Sequence, residues 1–315
     1  MTDDGLLDSL DTFGALQLVP DAVRATLDAA RSSGVPNDLD VGAVVVAASA
    51  RSRSVAAAVE AVAASRLRCP LVTVVGGSLP SWVGPGALVL SLDGEVTERL
   101  VSDTTVAGVP VIGVGSGGPG TRPAPIVETV AALAALEQFG LVDGLIDELT
   151  AAAGHLDARL VELCVSRSPA ERLARRIGHT MVLAYGAGPV GAAAAFAWKT
   201  SVNRNAKVPA FANSVPGLDH DEVVGWAQHG DVTRQVFTLV MLRHAFETAD
   251  EARRMDVTAE TCEEIVADVL TVTSEAASPA AVLLDLMLYG EMASLEMAVQ
   301  ADVDPGPTPI VERYR

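Results

Sequence analysis

Short, unbroken apolar runs recur along this chain, separated by turn residues and by stretches at helical spacing. The first is Ala43-Val44-Val45-Val46-Ala47, with a helix predicted over Ser54–Arg66 behind it. Leu71-Val72-Thr73-Val74-Val75, ended by Gly76-Gly77, is the second. Ala87-Leu88-Val89-Leu90-Ser91 and Val109-Pro110-Val111-Ile112-Gly113-Val114 follow. Runs that are apolar throughout, rather than alternating, belong to strands buried on both faces, which means a parallel sheet covered by helices. Parallel neighbours need crossover connections, and these are right-handed. The prediction is an α/β fold, doubly wound, with helices on both faces of the sheet.

The pattern then repeats. After the Gly/Pro-rich loop Gly113–Pro125, helices are predicted over Val127–Gln138, Asp143–Ala153 and Pro169–Ile177. A second series opens at the strand Thr180-Met181-Val182-Leu183-Ala184-Tyr185. It continues through the strand Gln235–Val240 to helices Thr261–Val269 and Pro279–Ala298. A helical lead-in over residues 6–33, stopped at Gly34-Val35-Pro36, precedes everything. Each half holds a strand, a loop and an Ala-rich helix, a weak internal repeat that fits two similar domains. The boundary is placed near residue 152, giving 1–152 with the lead-in and 153–315.

Composition removes several function classes. A net charge of −18 opposes nucleic-acid binding, which needs a basic face. It leaves room for an anionic small molecule, which needs only a local positive site. The three cysteines, Cys69, Cys164 and Cys262, are far apart and form no Cys-x-x-Cys pair, so zinc and disulfide frameworks lack support and three buried thiols are expected. The acidic N-terminus is unlike a signal peptide, and a cytoplasmic location is expected. Met181 to Trp198 is uncharged, but Gly186, Gly188, Pro189 and Gly191 break it into strand, turn and helix, so no membrane span is predicted. Those glycines match Gly-x-Gly-x-x-Gly, yet no acid follows at a second strand end and Pro189 removes a loop N–H. A glycine turn for a sugar or phosphate oxygen, or for tight packing, is the reading.

Polar residues concentrate between Lys199 and Trp226. This stretch holds the only two lysines of the chain, Lys199 and Lys207, together with Arg204, His220, Asp221 and Glu222. Its two Val-Pro steps, at Pro209 and Pro216, predict helix, loop and helix. Trp198-Lys199, Asn203-Arg204-Asn205-Ala206-Lys207, Pro209-Ala210-Phe211, Asn213, Pro216, Leu218-Asp219-His220-Asp221-Glu222 and Gly225-Trp226 follow one another in it. In this order they resemble the signature of the bifunctional phosphoglucose/phosphomannose isomerases, tandem sugar-isomerase (SIS) domain proteins. The resemblance implies two SIS-type domains with a cleft between them, a homodimer and no metal or other cofactor. It further implies His220 as the ring-opening residue, reaching a neighbouring subunit's site.

The same resemblance exposes departures. The family's catalytic base is the Glu of Asn-Glu-Asn-Ala-Lys, and position 204 is Arg. Enediol isomerisation needs a base that is ionised yet protonatable near neutrality, which a guanidinium is not. Asp221 and Glu222 are the carboxylates left nearby, Glu222 being expected to have a fixed structural partner. The family's phosphate loop, Ser-x-Ser-Gly-Asn-Thr, falls on Ser91-Leu92-Asp93-Gly94-Glu95-Val96-Thr97, putting two carboxylates where a phosphate should sit. Its glycine-rich first loop falls on Ala47–Ser54, where Arg51 and Arg53 are expected to be solvated.

Candidate catalytic residues are therefore His220, Arg204 and Glu222. Candidate substrate-binding residues are Ser49, Ser91, Thr97, Arg122, Lys199 and Lys207, Arg122 standing for a family arginine in a shortened loop. The expected function is aldose–ketose isomerisation of hexose 6-phosphates, such as glucose or mannose 6-phosphate to fructose 6-phosphate, impaired by Arg204. The alternative is a non-catalytic SIS-domain protein that binds a carbohydrate derivative or a partner.

Overall fold

The computed structural model describes residues 7–33, 41–76, 78–102, 108–114 and 125–312. The chain divides into two compact units, Val19–Gly154 and a second made of His155–Arg315 with the segment up to Leu18. Each is an α/β layer built on a four-stranded, wholly parallel sheet.

In the first unit the elements run α2 (Val19–Ser32), β1 (Ala43–Ala48), α3 (Arg53–Ala63), β2 (Leu71–Val75), β3 (Ala87–Ser91), α4 (Gly94–Ser102), β4 (Val111–Gly113) and α5 (Pro125–Gln138). The sheet order is β2-β1-β3-β4, so β1 and β3 are central. Val45 lies opposite Val72 on one side and Val89 on the other, and β1 and β3 are buried almost throughout, as unbroken valine and leucine runs require. Val45, Ala47 and Val89 pack with Val96 and Leu100 of α4.

The second unit begins inside α6 (Leu145–Leu163). It continues with α7 (Pro169–Ile177), β5 (Met181–Ala187), α8 (Gly188–Ser201), a π-helical turn at Val202–Ala206 and β6 (Ala210–Val215). The short helices α9 (Leu218–Asp221), α10 (Val223–Trp226) and α11 (Gly230–Val236) lead to β7 (Phe237–His244), α12 (Ala249–Cys262), β8 (Asp268–Ser274), α13 (Pro279–Gln300) and α14 (Pro309–Glu312). The order is β6-β5-β7-β8, which puts the topological switch beside β5. α13 is apolar all round and buried along nearly its whole length, the mark of a helix at the centre of a unit. The lead-in is split: α1 (Thr12–Gln17) packs on α13, while α2 packs on α5 of the first unit.

Three readings of the sequence need correction, and one open alternative is decided. The segment between Pro209 and Pro216 is a strand, not a loop. The two prolines bracket β6, whose partner β5 supplies its ladder, and its partly polar face suits an edge. No helix covers Thr261–Val269; α12 ends at Cys262 and β8 begins at Asp268. Both elements carried signals. Thr248 and Glu251 form a reciprocal capping box, and Val, Leu and Thr alternate through β8. Of the cysteines, only Cys262 is buried, which pushes its thiol up to about 11, while Cys69 is half-buried and Cys164 exposed. The glycine turn serves packing: a Cβ on Gly186 would meet the Gly191 carbonyl oxygen at 2.2 Å, and Gly188 has φ +60°.

No helix among the described residues is long and apolar enough to cross a membrane. What anchors α13 is ionic. Asp285, fully buried, accepts Arg159 Nε at 2.6 Å and Nη2 at 2.8 Å, and the Ser274 hydroxyl at 2.5 Å. Burial alone would raise its pKa, but these donors, with Arg159 foremost, hold it below the ordinary carboxylate value.

Breaking such a pair from one side leaves a buried charge. Asp285→Ala should therefore cost about 3–5 kcal/mol in urea unfolding, and a loss under about 1 kcal/mol would show that the pair holds nothing. Because the folded-state pKa is depressed, this contribution is complete above the unfolded value near 3.8. It fades as pH falls through the lower folded value.

Candidate functional site

Position 204 sits where α8 widens into the π-helical turn, which Lys207 ends in the left-handed region at φ 58°. Asn203 stitches that turn to β6, its Nδ2 donating to the carbonyls of Lys199 and Ala210 at 2.7 and 3.1 Å. Asn205 turns inward instead, donating to Glu291 Oε2 at 3.0 Å and to Ser294 Oγ at 2.8 Å on α13. The Glu291 carboxylate also accepts the Ser201 hydroxyl at 2.6 Å and Arg204 Nη2 at 3.2 Å. Arg204 is thus half of an ion pair with a buried carboxylate. Its Nε is buried with no hydrogen-bond partner among the described residues.

The two lysines have local partners. Lys199 Nζ lies 5.5 Å from the centroid of the Phe196 ring, and Lys207 Nζ donates to the carbonyls of Arg204 and, at 3.2 Å, Pro305. Trp198 is fully buried, donates to the Leu286 carbonyl at 2.7 Å and stacks on Tyr289. Gly290 makes room for it, since a Cβ there would lie 2.7 Å from the indole.

His220 is exposed on the short helix α9, with no side-chain hydrogen bond among the described residues. Glu222 is engaged: its carboxylate accepts the hydroxyl of Tyr185, a fully buried side chain on β5, which in turn accepts Trp226 Nε1 at 3.1 Å. Burial first, and then the Glu222 carboxylate, push the tyrosine hydroxyl well above its ordinary value, so it stays a donor. Asp221 accepts Asn213 Nδ2 at 3.2 Å. Glu222 has the fixed partner expected of it, and that partner competes with any proton it would take from a substrate.

In the first unit, Ser49, Ser91 and Thr97 all converge on one residue, Asp93. The Ser49 N–H donates to Asp93 Oδ2 at 2.9 Å, while the Ser91 and Thr97 hydroxyls donate to its main-chain carbonyl at 3.3 and 2.8 Å. Ser52 donates its hydroxyl to Oδ2, and Arg51 Nη2 lies 2.9 Å from Oδ1. Burial would raise the Asp93 pKa, but these hydrogen bonds, led by Ser52, hold it below the ordinary value. Two expectations change here. Arg51 is paired rather than merely solvated, and only one of the two carboxylates points inward, Glu95 being exposed on the first turn of α4. A cavity of about 540 Å³ opens beside this loop, lined in part by Gly94, Thr97 and Gly113. Arg122 lies outside the described residues. Among the described residues no group of three or more His, Cys, Asp or Glu side chains is placed to hold a metal.

Residues 166–315 match the model of the bacterial phosphoglucose isomerase C-terminal SIS domain. Over these residues, a little under half of its length, the chain is similar to that isomerase domain. The bifunctional phosphoglucose/phosphomannose isomerase of Caldicellulosiruptor bescii is 28% identical over 167 residues, 53% of this chain and 49% of that protein. That of Aquifex aeolicus is 28% identical over 172 residues, covering 54% and 51%. The matched stretch thus spans about half the length of these relatives. Among solved structures, the C-terminal domain of glucosamine-fructose-6-phosphate aminotransferase from Francisella tularensis superposes with a TM-score of 0.68 at 11% identity. It covers 93% of this chain and 96% of that one. A glucose-6-phosphate isomerase-like protein from Thermus thermophilus gives 0.59 at 17%, covering 96% and 97%. At such identity these two speak for the fold, and it is the SIS-type α/β fold.

Within the family signature, most of the polar side chains are spent on the protein itself. Glu291, Ser52 and Tyr185 carry the networks without having been singled out as site residues. Glu291 lies within the final helix predicted from the sequence, but its partner Arg204 stands 87 residues earlier in the chain, and no spacing encodes that pairing. A double-mutant cycle on Arg204→Met and Glu291→Gln should return a coupling of about 1 kcal/mol or more. A coupling near zero in that urea series would mean that Ser201 and Asn205 hold the carboxylate without help from Arg204.

Proposed function

We propose that this chain is a phosphosugar isomerase homologue whose hexose 6-phosphate chemistry is impaired. The observation that carries the reading is the ion pair between Arg204 and Glu291. At the position where the family resemblance puts the proton-shuttling carboxylate, this protein has a guanidinium that stays protonated and is held by a buried acid. Losing a positioned base costs about 10²–10⁴ in rate. Glu222 is a poor replacement, because it already accepts the Tyr185 hydroxyl. The Asp93 carboxylate adds to this, since its negative charge occupies the donors that would orient a phosphate.

One observation favours a second reading. Arg204 Nε is buried and without a partner, a donor available to a sugar oxygen in a site that binds but does not turn over. In that case the chain recognises a carbohydrate derivative without isomerising it. Either reading is a homodimer by family resemblance, with the exposed His220 placed to serve a neighbouring subunit; a monomer of 32.5 kDa by light scattering would remove that role.

Purified protein should show almost no interconversion of glucose or mannose 6-phosphate with fructose 6-phosphate. It should also fail to exchange the C2 proton of either substrate in heavy water, a more sensitive measurement than turnover. Robust isomerisation that is lost on His220→Ala and Glu222→Gln but survives Arg204→Ala would overturn the proposal and identify a relocated base. A hexose 6-phosphate that raises the melting temperature without turnover would decide for the binding reading.

A further inference from the structure

The Asp93 side chain is only 2% exposed, yet the guanidinium that pairs with it, on Arg51, is 53% exposed. A carboxylate has been drawn in from solvent and met by a backbone N–H, a hydroxyl and a surface arginine, all from the segment that joins β1 to α3. This donor set is that of an oxyanion receptor: charge-assisted hydrogen bonds from a planar guanidinium, with main-chain N–H and hydroxyl groups beside it. The anion comes from the next loop of the same sheet, at the end of β3. Its main chain is tied down separately. The Asp93 carbonyl accepts Ser91 Oγ, Thr97 Oγ1 and the Thr97 N–H, the last at 2.8 Å. The loop therefore does not depend on the carboxylate for its position. The cavity bounded by Gly94, Thr97 and Gly113 opens beside that loop.

We propose that the β1–α3 segment is an anion receptor carrying its own ligand, with the Asp93 side chain as an internal competitor for a phosphate group. A tethered ligand acts at an effective concentration of millimolar or more, so it excludes a dissolved anion of comparable intrinsic affinity. Charge sets the scale of what is hidden. One guanidinium matches one carboxylate, so a phosphate dianion taking its place is under-neutralised and binds in the millimolar range. The inference deepens the functional reading above, because it gives the reason that sugar phosphates are refused. Its test uses inorganic phosphate and reads binding, so it fails or stands apart from any result on isomerisation.

The unaltered 315-residue chain, Asp93→Gly, Asp93→Ser and the double variant Asp93→Gly with Arg51→Ala are titrated with inorganic phosphate at constant ionic strength, followed by calorimetry and phosphorus NMR. Asp93→Gly and Asp93→Ser should bind phosphate with a Kd of about 1 mM, at least tenfold tighter than wild type, and adding Arg51→Ala should abolish the gain. Folding is checked by circular dichroism. If the glycine and serine variants do not fold, Asp93→Asn, which removes the charge and keeps the volume, is read by thermal shift. Phosphate should then raise its melting temperature and leave that of wild type unmoved. A folded variant with no response to phosphate would overturn the proposal. So would wild type binding as tightly as the variants, or a gain that survives Arg51→Ala, which would put the phosphate elsewhere.

Discussion

Ionised side chains buried in an α/β core must be paired, and that requirement shapes both units of this protein. On α13, a helix with almost no exposed face, Asp285 is met by Arg159 and Ser274, and Glu291 by Arg204, Asn205 and Ser201. In the first unit Asp93 is met by Arg51, Ser52 and the Ser49 N–H. Left unpaired, any of these carboxylates would cost several kcal/mol, comparable with the whole margin of stability of a domain. The helices and loops that donate to them are held in place by that need.

The functional consequence follows from the same economy. A proton shuttle has to face the substrate with a free oxygen, and a carboxylate committed to protein donors is not placed for that. Glu222 accepts a buried tyrosine hydroxyl, and Glu291 accepts three donors including Arg204. A phosphate-binding loop must likewise keep its donors open, and those around residue 93 are taken. The polar side chains of the stretch that resembles the isomerase signature are largely turned toward one another. His220 is the exception, exposed and unengaged among the described residues.

Much of the fold is legible in the sequence. The unbroken runs at 43–47, 71–75 and 87–91 read as doubly buried parallel strands because no polar alternation interrupts them, and they are strands at those positions. β6 was not legible, because its polar residues and flanking prolines resemble a loop until β5 is there to pair with it. The α12 and β8 boundaries were legible in principle, from the Thr248–Glu251 cap and from the alternation of β8, but a charged helix with little apolar periodicity hid the first.

The site divides the same way. That a guanidinium stands at position 204, and an aspartate within the loop after β3, is a matter of sequence alone, since the ionisable group itself belongs to the residue type. What each group does with its charge was decided by tertiary structure. Arg204 and Glu291 are brought together by α8 packing on α13, and Arg51 and Asp93 by the pairing of β1 with β3. Whether Asp93 repels a ligand from the surface or fills the ligand's place depends on the direction of its side chain, and that direction is set by donors 41 to 44 residues away. Spacing along a chain carries no record of such contacts, because only packing makes them neighbours.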